Sequence, residues 1–135
     1  MNILFDTNIL LDVYLKREEF FEESAFLIAQ VELENITGWI GSTTVTTIHY
    51  LVTKWKNVET AKTVVGSSLK LFNISPVNRV VLEEALELEF SDFEDAVLHQ
   101  SAIHANLDGI VTRNKKDFSK ASLPIYTPKE LIAVL

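Results

Sequence analysis

The 135-residue chain contains no cysteine, which excludes a disulfide framework, thiolate-held zinc and a cysteine nucleophile, and is compatible with a reducing cytosol. Glycine and proline are scarce, at 4 and 3 residues, which argues against collagen-like repeats, flexible linkers and low-complexity disorder. No segment approaches the roughly 18 uninterrupted apolar residues of a membrane span. The N-terminus Met1-Asn2-Ile3-Leu4-Phe5-Asp6 lacks the basic-then-apolar order of a signal peptide. The expectation is therefore a soluble, cytoplasmic protein with no membrane partner. Positive charge is in short supply as well: 12 Lys+Arg against 19 Asp+Glu give a formal net charge of −7. That balance argues against a protein that coats nucleic acid by bulk charge, but it does not exclude a nuclease whose site holds metals with several carboxylates. What is present is a chain 47% apolar and 10% aromatic, enough for a packed core, with a length that fits one domain over 1–135.

Periodicity sets the element order. Ile3-Leu4-Phe5 is a short apolar run bounded by polar residues, as in a buried strand, and a helical pattern follows from Asn8 to Leu15. Helices are expected over Glu18–Glu34, from a cap at Ser42 or Thr43 to Trp55, over Val58–Phe72 and over Asn78–Phe90. Trp39-Ile40 and Asn73-Ile74-Ser75 read as strands between them. Ser91-Asp92-Phe93-Glu94 has the S-x-x-E form of a capping box, so a helix is expected from Ser91 to Asn106. Gly109–Thr112 reads as a buried strand, Ile125-Tyr126 as an edge strand, and Pro128–Leu135 as a closing helix with proline in its first turn. Strands alternating with helices imply an α/β fold whose mainly parallel sheet is covered on both faces.

In such sheets functional groups collect beyond the carboxyl ends of the strands. Asp6 directly follows the first strand, where its carboxylate either caps the next helix through the amides of Asn8 or Ile9 or belongs to a site. Asp92 and Asp95 open the late helix on one face, where the helix dipole alone favours acids. Asp117 closes the turn Thr112-Arg113-Asn114-Lys115-Lys116-Asp117-Phe118 after a buried strand, and turn chemistry accounts for some of its polar residues. Together these acids would converge at one end of the sheet. Carboxylates brought that close raise one another's pKa unless a divalent cation sits among them, and oxygen donors without cysteine point to Mg²⁺ or Mn²⁺.

The segments Asp6-Thr7-Asn8-Ile9-Leu10-Leu11-Asp12, Asp92-Phe93-Glu94-Asp95-Ala96 and Val111-Thr112-Arg113-Asn114-Lys115-Lys116-Asp117-Phe118 resemble those of the PIN-domain family, which includes the VapC-like toxin ribonucleases of toxin–antitoxin modules. The resemblance implies a three-layer, Rossmann-like sheet of four or five mainly parallel strands and a Mg²⁺ or Mn²⁺ site that cuts single-stranded RNA. It assigns the catalytic, metal-holding role to Asp6, Asp95 and Asp117, with Asp92 as a further ligand and Asn114 as an alternative to Asp117 after the fourth strand. Thr7, Asn8, Asp12, Thr47, Thr112 and Asn114 would then orient those acids or a bound water by hydrogen bonds. Arg113, Lys115 and Lys116 would meet the phosphate backbone. A cognate antitoxin and a second copy of the chain are the implied partners, with Phe20, Phe21, Phe26 and Leu27 available for such contacts. Thr47 stands where many relatives carry a glutamate. That exchange implies weaker metal affinity, a supporting role for Asp92 or Asp12, or a descendant that binds RNA or protein without cutting. His99 lies one helical turn after Asp95 and would pair with it or stand exposed, and His104 is expected to be exposed.

Overall fold

The computed structural model describes all 135 residues. Five strands, β1 (Asn2–Phe5), β2 (Thr37–Gly41), β3 (Asn73–Ser75), β4 (Gly109–Val111) and β5 (Ile125–Tyr126), form one sheet in the order β3-β2-β1-β4-β5, with every pairing parallel. Seven α-helices connect and cover them: α1 (Thr7–Tyr14), α2 (Glu18–Glu32), α3 (Ser42–Trp55), α4 (Val58–Leu71), α5 (Arg79–Glu87), α6 (Phe93–His104) and α7 (Pro128–Ala133). The three-layer α/β arrangement expected from the alternation is present, and no helix is long and apolar enough to cross a membrane.

Side-chain alternation along β1 builds the layers. Ile3 and Phe5 enter a core shared with Ile9, Leu10 and Leu11 of α1, Leu27 and Val31 of α2, Ile48 and Val52 of α3 and Leu131 of α7. Leu4 faces the other way and packs with Ile110, Phe118 and Leu98 and Ala102 of α6. The central strands β1 and β4 therefore bury both faces, which is why Ile3-Leu4-Phe5 and Ile110-Val111 are unbroken apolar runs. Helix α6 buries Ala96, Val97, Leu98, His99, Ser101 and Ala102, because it is enclosed between the sheet and α5, where Val81 and Ala85 meet it. Helix α3 forms despite its β-branched residues. Thr44, Ile48 and Val52 recur every four positions and are all buried, so packing overrides the weak intrinsic preference.

Several boundaries differ from expectation. The cap of α6 is Asp92, not Ser91, and α3 starts from Gly41 with no side-chain cap. Helix α5 stops at Glu87, three residues before Phe90, whose ring turns inward against Phe118 and His99. A 3₁₀ turn spans Lys115–Phe118, where a plain turn was expected. The closing helix has its own capping box, Thr127 with Glu130, in front of Pro128.

Scarcity of glycine leaves a mark at the helix ends. Three residues after helices, Lys16, Glu34 and Asn106, have positive φ of 51°, 62° and 57°, whereas no glycine does. A side chain in that left-handed region costs about 1–2 kcal/mol relative to the right-handed one, and glycine avoids the clash. The glycine at Gly38 has a different purpose. A Cβ there would stand 2.8 Å from the Phe72 ring and 2.9 Å from Val31. Glu34→Gly should therefore raise unfolding free energy by up to about 1 kcal/mol, and Gly38→Ala should lower it by about 1–3 kcal/mol through overpacking, both read by urea denaturation.

Candidate active site

The strand order reverses direction across β1: the chain runs from β1 outward to β2 and β3, then returns to place β4 on the opposite side of β1. The crevice above such a reversal is where open parallel sheets place their functional groups. Asp6 leaves β1 at that point. Its backbone N–H still bonds to the Val111 carbonyl at 3.0 Å, continuing the ladder with β4, while its extended backbone opens α1. The carboxylate is only 6% exposed and accepts two hydrogen bonds, 2.8 Å from the Thr7 backbone N–H and 2.8 Å from the Thr112 hydroxyl. It caps α1 through Thr7 rather than through Asn8 or Ile9, because its second oxygen is turned toward β4. Thr112 is anchored in turn by accepting the Asn114 backbone N–H at 3.1 Å. The hydroxyls of Thr7 and Thr44 lie 2.8 Å apart, tying α1 to the first turn of α3.

Asp95 and Asp117 arrive from other elements. Asp92 caps α6 by accepting the backbone N–H groups of Glu94 at 2.8 Å and Asp95 at 3.3 Å, which sets Asp95 in the first turn. Burial chiefly, then repulsion from Asp6, Asp92, Asp117 and Glu94, pushes the Asp95 carboxyl up to about 7. Burial also raises Asp6, opposed by the Thr112 and Thr7 hydrogen bonds and by the Arg113 charge, and Asp117 pushes it further upward. Glu94 is raised by burial, then by Asp92 and Asp6. Acids from β1, α6 and the 3₁₀ turn thus lie within electrostatic reach of one another. Neither the Asp95 nor the Asp117 carboxylate accepts a hydrogen bond from the chain, and no three acidic or imidazole groups meet as a ready-made metal shell.

A second polar group adjoins the acids. Asp12 is fully buried on α1 and faces two cations, with Arg17 Nη1 at 3.2 Å and Arg113 Nε at 3.0 Å. Arg17 also donates to the Asn8 side-chain Oδ1 at 3.1 Å. Burial raises the Asp12 carboxyl, and the two guanidinium groups pull it down. The Arg113 guanidinium lies 4.1 Å from the Phe20 ring centre. Lys115 pairs with Glu130 at 3.1 Å, while Lys116 is exposed with no ion pair.

The remaining candidates fall elsewhere. The Thr47 hydroxyl donates to the Thr43 carbonyl at 3.1 Å. His99 is neither exposed nor paired with Asp95: it is buried between α6 and the loop before β5, with Nδ1 2.8 Å from Gln100 Oε1 and Nε2 accepting the Ser122 N–H at 3.0 Å. Burial depresses its pKa, opposed by Gln100. His104 meets Glu84 at 2.7 Å. Leu27 is core and Phe26 exposed. Sequence reading passed over Thr44 and Glu94. Moving the α6 cap one residue to Asp92 would have released Glu94 from its supposed capping partner and shown it as a further acid at this end.

Residues 2–116 match the family described as PIN domain. Among solved structures, this chain is similar to VapBC2 from Rickettsia felis bound to a promoter DNA fragment, with 21% identity, coverage of 94% of this chain and 98% of that one, and a TM-score of 0.71. DNA-bound VapBC from Salmonella typhimurium has 16% identity, coverage of 95% and 98%, and a TM-score of 0.72. VapC20 from Mycobacterium tuberculosis, described as a sarcin–ricin loop cleaving toxin, has 12% identity, coverage of 80% and 86%, and a TM-score of 0.63. No curated protein matches this chain in sequence.

Between its ordinary value of 3.8 and about 7, Asp95 holds a proton in the folded chain that the unfolded chain releases. Its stabilising contribution is complete below about pH 4 and is lost as pH rises to about 7. Asp95→Asn should flatten this dependence and, without added metal, raise the melting temperature by a few degrees at about pH 8 while changing it little at about pH 4. Thermal melts by circular dichroism at the two pH values check it.

Proposed function

This chain belongs to the PIN domain family, and on that premise we propose that it is a Mg²⁺- or Mn²⁺-dependent endoribonuclease that cuts single-stranded RNA as the toxin of a toxin–antitoxin pair. One observation carries the reading. Asp6, Asp95 and Asp117 leave three different elements, the Asp117 charge pushes both other carboxyls up, Asp6 pushes up Asp95 as well, and two of the three carboxylates have no hydrogen-bond donor. An all-oxygen, like-charged donor set suits a hard divalent ion, so the chemistry of the residues fits the group even though they do not form a closed shell before it binds.

Asp6 would be the fixed ligand, since Thr7 and Thr112 hold both of its oxygens. Asp95 and Asp117 would turn toward it, with Glu94 and the free oxygen of Asp92 as nearby reserve. When bound, such an ion polarises the scissile phosphate and lowers the pKa of a water molecule. The chain needs no nucleophile of its own. Thr112 keeps Asp6 aligned with β4, and the Thr7–Thr44 contact keeps the first turn of α1 against α3, so the ion would meet a preorganised acid rather than a mobile one. Lys116 supplies an unpaired positive charge beside the acids for the RNA backbone, and Asn114 sets the start of the turn that delivers Asp117.

The solved complexes that share this fold hold a toxin with its antitoxin, which supports an antitoxin partner here. A self-associated form is part of the same proposal, with exposed Phe26 available to it. A second reading, a PIN fold that binds without cutting, is favoured by Thr47, whose hydroxyl is directed to the Thr43 carbonyl where a glutamate would bring charge.

A labelled single-stranded RNA incubated with Mn²⁺ or Mg²⁺ separates the two. Cleavage should stop on chelation, fall at least about 100-fold in Asp6→Asn and Asp95→Asn, and fall about 10–100-fold in Thr112→Val, which removes only the hydroxyl that aligns Asp6. Equal cutting by the wild type and Asp6→Asn would sink the nuclease reading. Calorimetry with Mn²⁺ should show binding that Asp95→Asn weakens at least about 10-fold; no detectable binding favours the non-cutting module.

A further inference from the structure

Beside the acids lies a cavity of about 320 Å³ between α2 and the start of α7, lined by Glu19, Phe20, Ser24, Arg113 and Lys129 among others. Two features are unexpected for a passive surface groove. Ser24 is 1% exposed, and its hydroxyl has no hydrogen-bond partner in the chain; buried hydroxyls are ordinarily satisfied. Arg113 is held on two sides, by Asp12 Oδ2 3.0 Å from Nε and by the Phe20 ring 4.1 Å from its central carbon. Neither of its terminal nitrogens makes a hydrogen bond to the chain, and the Nε contact lacks hydrogen-bond alignment. A guanidinium whose orientation is set by a buried acid and an aromatic face, with its outer fork free, is preorganised for a bidentate oxyanion.

We propose that this cavity is a subsite for one phosphodiester group of the RNA strand, next to the position cut, with Arg113 as the fork, Lys129 as a second charge and Ser24 as a hydrogen-bond donor. The inference rests on the ribonuclease reading for its ligand and extends it to a second place on the molecule. Arg113 directly follows Thr112, which holds Asp6, and its charge acts on the Asp6 carboxyl, so the fork of this cavity and the acids are carried by one stretch of chain. The carboxylates here define the ligand further. Glu23 stands 3.9 Å from Lys129, and Glu19 shares the lining. Two acids oppose a free dianion, but they tolerate a singly charged diester and can accept a base amino group.

The test is a titration of the ¹⁵N-labelled protein, without metal, with ribodinucleoside monophosphates and separately with inorganic phosphate. Shifts should centre on Phe20, Ser24, Arg113 and Lys129, and the diester should bind more tightly than phosphate. Arg113→Lys, which retains charge but loses the fork, and Lys129→Ala should each weaken binding about 5–10-fold. Ser24→Ala should weaken it about 2–5-fold, while Lys62→Ala on distant α4 leaves it unchanged. Because Lys129 is exposed, its variant remains informative if Arg113→Lys fails to fold. In cleavage of RNA, Arg113→Lys should raise KM more than it lowers kcat. Shifts confined to other surfaces, phosphate binding as tightly as the diester, or wild-type binding by both Arg113→Lys and Lys129→Ala would overturn the subsite. RNA cleavage with no diester binding here removes this inference alone, whereas diester binding here with no cleavage removes the nuclease reading alone.

Discussion

The constraint on which the rest depends is the burial of a carboxylate at the point where the sheet changes direction. Asp6 is almost inaccessible, and an unpaired charge in that place would cost several kcal/mol. The chain offsets it with the Thr7 amide, the Thr112 hydroxyl and the Arg113 charge. Each comes from a neighbouring element, so the carboxylate also fastens α1 to β4. The compensation is partial, since the folded chain still favours the protonated acid more than water does. What is left over is electrostatic strain at one end of the sheet, which Asp95, Asp117 and Glu94 increase.

That arrangement separates two acidic groups that look alike in the chain. Asp6 and Asp12 lie six residues apart and are both buried, yet their partners differ in kind. Asp12 meets two guanidinium groups and forms part of a mixed-charge cluster with Arg17, Arg113 and Asn8. Asp95 faces only other acids, Asp6 among them, while Asp6 itself is held by Thr7 and Thr112 and is pushed upward by burial and by Asp117. The first cluster joins one acid to two cations and organises the molecule, including the orientation of Arg113. The second carries charge of one sign, which on the proposed reading a divalent cation would relieve. The same distinction applies at α6, where Asp92 is engaged with backbone amides and Asp95 has no donor.

Much of this was legible in the residue order. Strand β1 and the alternation behind the parallel sheet followed from apolar runs and turn residues, and the acid-bearing segments followed from where those runs ended. The legible part is local: an apolar run of three or four residues has few conformational options, and an acid directly after a buried strand must emerge at its carboxyl end. What failed was local competition among near-equal choices. Ser91 and Asp92 are both good caps, and the backbone path from Phe90, whose ring is drawn against Phe118, selects Asp92. Thr47 and Thr44 are both polar residues in α3, and only the docking of α3 against α1 decides that Thr44 meets Thr7.

The amino-acid order by itself determined that the chain would form an α/β sheet with acids after the first and fourth strands and at the start of the late helix, because strand burial and helix periodicity act over a few neighbouring residues. Only the tertiary structure decided which charges compensate each other. The Asp12–Arg113 pair joins residues 101 positions apart, and the Asp6–Thr112 bond joins residues 106 apart. Their distances depend on β4 returning beside β1, a pairing that no short segment encodes. His99 makes the same point in the other direction: one turn from Asp95 in sequence, it is turned by the packing of α6 toward Ser122 and away from the acids.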